Sequence, residues 1–124
     1  MGYGQLIKAS LPKATWRSLI LLLLGRRRRF RIDADDGQSM RPTLKPNDVL
    51  IVRPIRQGDP LPEKGRLVLV RHPLLAEKLM IKRVHQIGKE GLDLRGDNPL
   101  ESTDSRQFGL VNCHHLRGTV EGLI

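Results

Sequence analysis

From residue 32 onward the apolar positions fall into short runs separated by turn-forming residues. The run at 49–52 follows a Pro46-Asn47-Asp48 turn, the run at 66–70 follows Lys64-Gly65, and 79–84 makes a third segment of strand length. Gly88-Lys89-Glu90-Gly91 reads as a tight reversal into a fourth run at 92–95. Pro54, Pro60, Pro62 and Pro73 punctuate the connections, and no stretch here sustains the 3.6-residue apolar period of a helix. The pattern predicts a mostly β domain, built as a small curled antiparallel sheet or a partly open β-barrel. Ahead of it the apolar run 19–24, closed by Gly25 and four arginines, predicts a short N-terminal helix. The chain thus divides into a leader, 1–31, and a domain, 32–124, with no internal repeat.

Charge sharpens that division. The 124 residues carry 22 Lys and Arg against 13 Asp and Glu. Eight of the basic residues, Lys8, Lys13, Arg17, Arg26, Arg27, Arg28, Arg29 and Arg31, lie in the leader, which has no acid, leaving 14 basic against 13 acidic in the domain. An anionic partner therefore meets the leader first. The apolar content of 39% and the 12 glycines are ordinary globular usage, which excludes disordered and collagen-like chains. With Cys113 alone no internal disulfide is possible, and a reducing compartment is the default.

The leader is too short to span a bilayer as a simple helix: six apolar residues cover roughly 9 Å, where about 20 residues are needed. It is also short for a secretory signal, lacks a small-residue cleavage site, and is followed by arginines that oppose translocation. Two readings stay open. Residues 13–31 form an interfacial helix, with Trp16 and the leucines against acyl chains and the arginines on lipid phosphates, or the helix docks on its own domain beneath a solvated arginine cluster.

Two segments carry candidate chemistry. In Gly37-Gln38-Ser39-Met40-Arg41-Pro42-Thr43-Leu44 a glycine and a proline flank a serine on a turn. Such a loop can present the Ser39 hydroxyl as a nucleophile with its own N–H as an oxyanion donor, although serine beside glycine and proline is more often only a turn. In Met80-Ile81-Lys82-Arg83-Val84, strand alternation puts Lys82 on one face with Met80 and Val84, and Leu79, Ile81 and Arg83 on the other. A lysine with its reference pKa of about 10.4 is almost wholly charged at pH 7. Burial lowers such a pKa by roughly 3 to 5 and makes the amine a base. On the wet face the same residue is only a solvated cation.

A third segment runs Gly96-Asp97-Asn98-Pro99-Leu100-Glu101-Ser102-Thr103-Asp104-Ser105-Arg106-Gln107-Phe108-Gly109. Together, in this order, the three segments resemble the nucleophile, lysine and closing boxes of the signal peptidase I family of serine proteases. The resemblance implies peptide hydrolysis by a Ser-Lys dyad, with Ser39 as nucleophile, its backbone N–H in the oxyanion hole, Lys82 as general base and Ser102 orienting the lysine amine. It implies a structural ion pair between Asp104 and Arg106 near the site, substrate contacts from Gly37, Gln38, Met40, Met80 and Ile81, and small side chains before the cut. No metal and no cofactor are implied.

Departures from the family pattern narrow the substrate. Many bacterial relatives carry an oxyanion-hole serine two positions before the nucleophile, where this chain has Gly37. The usual Gly-x-Pro-Gly-Asp stretch after the lysine box is replaced by Val84-His85-Gln86-Ile87-Gly88, and 13 residues between Lys82 and Gly96 leave no room for an inserted domain. A minimal, unanchored version is similar to the small proteases that mature nickel-type superoxide dismutase. It implies a precursor protein as partner, the dismutase proform, shortened at its N-terminus in the cytoplasm or peripherally at an anionic membrane. A general leader peptidase at a membrane is the alternative.

Other conspicuous residues have plainer readings. Cys113-His114-His115 lacks a second ligand pair at metal-binding spacing. His72 and His85 could supply a Ser-His arrangement, but the lysine box already provides a base. Asp33, Asp35 and Asp36 read as counter-charge to the arginines. A non-catalytic basic-tailed β module, gripping nucleic acid or an anionic membrane, is the alternative of another class. Nucleic acid is not expected, because Phe30 and Phe108 are too few for a stacking platform.

Overall fold

The computed structural model describes residues 11–34 and 37–124. Six strands, β1 (Arg28–Arg31), β2 (Val49–Pro54), β3 (Leu67–Arg71), β4 (Leu79–Gly88), β5 (Gly91–Arg95) and β6 (Leu116–Leu123), form one antiparallel sheet in the order β1-β2-β6-β3-β4-β5. The sheet is open: of the two shapes predicted, the curled sheet is the one that forms. Strand β6 lies between β2 and β3 and is the only link between the two halves of the ladder.

Strands β2 to β5 fall where the apolar runs and turns put them; β1 and β6 do not show in the apolar pattern. Strand β1 consists of Arg28, Arg29, Phe30 and Arg31; it pairs with β2 through the backbone ladder, and of its side chains Phe30 packs on the first core. An edge strand rich in cationic side chains also resists pairing with other chains. In β6 the buried positions are Leu116, Gly118, Val120 and Gly122, so burial alternates but half of the buried positions are glycine. A Cβ on Gly118 would stand 2.3 Å from Val52 Cγ1 and 2.9 Å from the Arg53 carbonyl oxygen. Glycine is there because β2 and β6 approach too closely for a side chain.

Both faces of the sheet are covered. Leu50, Val52, Leu67, Leu69, Ile81 and Val120 pack on one face under Ile32, Met40 and Leu44. Val68, Val70, Met80, Val84, Leu92 and Leu94 pack on the other under Val111 and Leu116. Val84 and Met80 thus share the second face, and Ile81 lies on the first, as strand alternation requires.

The N-terminal helix, Trp16–Leu23, begins at Thr15, whose Oγ1 accepts from the Ser18 N–H at 3.2 Å. It ends where Gly25 takes a left-handed φ of 76° and the Arg26 N–H reaches the Leu21 carbonyl at 2.8 Å. Among the described residues no helix is long and apolar enough to cross a membrane.

The contact between β2 and β6 generates a test. Gly118→Ala should lower unfolding stability by about 1–3 kcal/mol through overpacking. Adding Val52→Ala, which removes the methyl it strikes, should recover part of that loss in urea denaturation followed by circular dichroism.

Candidate active site

Lys82 lies on β4 opposite Val68 of β3. Strand β5 pairs with β4 only from Arg83 onward, so Leu79–Lys82 keeps an edge without a strand neighbour, and the chain leaves the sheet at Gly96. The Lys82 side chain is 3% exposed, and its Nζ donates to Ser102 Oγ at 3.0 Å. The Ser102 hydroxyl in turn donates to Asp104 Oδ2 at 2.6 Å, which leaves its oxygen facing the lysine as an acceptor.

Asp104 is fully buried and is the fixed point of this chain of bonds. It caps the short helix Ser105–Phe108 in a capping box, and Gln107 Oε1 accepts from the Asp104 N–H at 2.8 Å. Its carboxylate also accepts from the Gly96 N–H at 2.8 Å and from the Arg106 guanidinium at 2.9 and 2.6 Å. Burial opposes its ionisation. The Arg106 guanidinium, the Ser102 hydroxyl and the two backbone N–H groups overcome that cost and hold the carboxyl well below the usual carboxylate range. The ion pair expected between Asp104 and Arg106 is formed.

A second network holds the serine loop. Met40 and Leu44 are buried in the first core, pinning the loop from below. From above, the Asn98 N–H donates to the Ser39 carbonyl at 2.8 Å and the Asn98 side-chain amide to the Gln38 carbonyl at 3.0 Å. Asp97 accepts from Arg83 Nε and Nη2 at 2.8 and 2.7 Å and from Thr43 Oγ1 at 2.5 Å. One carboxylate therefore ties the residue after Lys82 to the loop that carries Ser39. Gly96 closes the assembly: a Cβ there would stand 2.2 Å from Ser102 Oγ and 2.6 Å from the Ser39 carbonyl oxygen. Only a residue without a side chain lets the Ser102 hydroxyl and the Ser39 main chain come this close.

Ser39 and Lys82 line one cavity of about 670 Å³. Gly37, Met40, Met80 and Ile81 line it too, whereas Gln38 does not: its Oε1 accepts from Arg41 Nε at 2.6 Å instead. Ser102 sits behind Lys82 rather than on the wall. Phe30 and Arg31 of β1 stand on the same cavity as Leu79–Lys82 of β4, so the curl of the sheet brings two distant strands to one space. Among the described residues the Ser39 N–H has no hydrogen-bond partner.

His72 is also on this wall, with Nδ1 accepting from the Leu74 and Leu75 N–H groups at 3.0 and 3.1 Å. Burial, with the neighbouring Lys78, pushes the imidazole below its ordinary pKa, and the two bonds commit Nδ1 to fixing the 72–75 turn. His85 is exposed on the far part of β4. Cys113 is exposed, and no group of three His, Cys, Asp or Glu fit to hold a metal exists among the described residues. Asp33 lines the cavity; Asp35 and Asp36 lie outside the described residues. Asp97, Thr43 and Arg83 tie the site's segments together, and reading the chain did not single them out for a role. Their only signal was membership of the three segments: Thr43 in the first, Arg83 in the second and Asp97 in the third.

A family model described as signal peptidase, peptidase S26, matches residues 9–93, which include Ser39 and Lys82 and stop short of Gly96. No curated protein matches the chain.

Two tests follow from this geometry. A Cβ on Gly37 would meet the Asp33 carbonyl oxygen at 2.3 Å, so Gly37→Ser, which installs the hydroxyl many relatives carry, should destabilise by about 1–3 kcal/mol and should not raise peptide cleavage. Thermal melting and cleavage rate check both halves. Asp104 has a folded-state pKa below the unfolded value of about 3.9, so its stabilisation is present above about pH 4 and fades as pH falls toward the depressed value. Asp104→Asn should cost roughly 1–3 kcal/mol at pH 7 and flatten the acid limb of a stability profile between pH 2 and 7.

Proposed function

The chain belongs to the signal peptidase, peptidase S26, family, and from that premise we propose that it is a serine endopeptidase in which Ser39 attacks and Lys82 moves the proton. The observation that carries this reading is an amine 3% exposed, on a cavity shared with Ser39 and bonded to the Ser102 hydroxyl. The mechanism requires that amine uncharged, and removal from water acts in that direction. Ser102 supports it as a neutral acceptor, and the Asp104–Arg106 pair keeps the Ser102 hydroxyl turned away from the amine's lone pair.

In the first half-reaction Ser39 Oγ bonds to the carbonyl carbon of the scissile peptide while Lys82 Nζ takes the hydroxyl proton. The oxyanion forms against the Ser39 N–H. The C–N bond then breaks as the Lys82 ammonium returns the proton to the departing amine, leaving an acyl-enzyme on Ser39. Water repeats the sequence: Lys82 takes its proton, the ester breaks, and Ser39 regains its hydrogen. Preorganisation comes from Asp97 and Asn98, which fix the serine loop to the strand of the base.

The substrate is a precursor protein whose N-terminal extension enters the cavity in extended form, between β1 and the open edge of β4. The likeness of the compact chain and of its closing segment, Asn98-Pro99 and 102–109, to nickel-type superoxide dismutase maturation proteases supports that dismutase's proform as the precursor.

Ser39→Ala and Lys82→Ala should each abolish processing with the fold intact, and Lys82→Arg should fail as well because a guanidinium stays protonated. Co-expression with a candidate precursor, reading its new N-terminus by mass spectrometry, checks each variant. Cleavage should rise with pH as the base loses its proton. Processing that survives Lys82→Ala at neutral pH would sink the dyad.

A further inference from the structure

The N-terminal helix is fastened to the domain by one side only. Leu21 and Leu22 are half-buried; the Ala14 N–H donates to the Leu123 carbonyl at 2.8 Å, and Arg27 Nε meets Glu121 Oε1 at 2.8 Å. No residue of the helix is buried. Its outer face presents Trp16, 71% exposed, and, at the end, Leu23 and Leu24, 87% and 68% exposed, with Leu19 and Ile20 between them. Five large apolar side chains side by side in water form a patch that a soluble surface does not keep without use.

The chemistry around the patch selects its partner. Lys13, Arg17, Arg26, Arg28 and Arg29 are all exposed, and residues 13–31 contain no acid. Arg27 is the exception, neutralised by Glu121. An apolar stripe bordered by cations, with a tryptophan at one end, matches the boundary of an anionic bilayer, where leucines reach acyl chains and guanidiniums meet phosphates. A second copy of the chain would oppose arginines to arginines, and nucleic acid offers nothing to the leucines.

We propose that this helix lies in the interface of a membrane containing anionic lipid and holds the protein there without crossing it. The consequence for the cavity is geometric. Four residues after Leu24 the chain enters β1, and Phe30 and Arg31 of that strand line the cavity. A strand advances about 3.3 Å per residue, so the cavity mouth comes within a few residues' length of the headgroups. The inference does not rest on the peptidase reading, and lipid binding is measured without cleavage.

Trp16 is the only tryptophan in the chain and serves as its own reporter. Titrating the full-length protein with vesicles of phosphatidylglycerol and phosphatidylcholine should shift its emission to the blue and bring the protein down on sedimentation, with much weaker binding to pure phosphatidylcholine. Leu23→Ser with Leu24→Ser should weaken partitioning at least tenfold, and Arg26→Ala with Arg29→Ala by about 25-fold; all four side chains are exposed, so circular dichroism should stay unchanged. Unshifted Trp16 emission on saturating anionic vesicles overturns the proposal. So does partitioning that ignores the leucine pair, or binding to a short DNA duplex with none to vesicles.

Discussion

An amine removed from water must have somewhere to place its hydrogens, and that requirement organises the region around Lys82. Ser102 satisfies it at 3.0 Å, but a hydroxyl can rotate, and one left to rotate would as readily offer its own proton. Asp104 removes that freedom by taking the proton, and remains ionised in a dry place because Arg106 and two backbone N–H groups face it. The helix Ser105–Phe108 is only four residues long, yet its capping box is what positions Asp104. A chain of local bonds thus ends in the orientation of one lone pair.

A parallel constraint acts on the residue across the cavity. Ser39 stands on a loop, and loops wander unless tied. Asn98 bonds the main chain on both sides of the serine's own carbonyl plane, through Ser39 and Gln38, while Asp97 next to it clamps Thr43 and Arg83. Consecutive residues of one segment, Gly96 through Asn98, therefore register the Ser39 loop, the Lys82 strand and Ser102 against each other. Any motion of one is transmitted to the others, which suits chemistry that needs an ångström of accuracy.

What was legible along the chain, and what was not, separates by the range of the forces involved. Strands β2 to β5 are apolar runs between turns, and the face on which Lys82 lies follows from alternation with Met80 and Val84, both read locally. Strand β1 escaped notice because three of its four residues are arginines, with Phe30 as its one apolar position. Strand β6 escaped because Gly118 and Gly122 read as breakers until the neighbouring β2 and residues 12–14 are seen pressing on them. The partnership of Asp97 with Arg83 and Thr43 joins residues 14 and 54 positions apart, a distance at which spacing carries no signal. The bond from Arg41 Nε to Gln38 Oε1 joins residues three apart, yet only the folded turn shows it.

The placement of β6 at the heart of the sheet has a bearing on how the protein comes into being. During translation β1 through β5 emerge first, as a hairpin-like pair and a three-stranded meander with no ladder between them. The two halves share no ladder until residues 116–123 leave the ribosome and pair with both β2 and β3. Assembly of the cavity is consequently a late, all-at-once event dominated by pairings distant in sequence, and a chain still being synthesised carries the serine and the lysine without yet holding them over a common space.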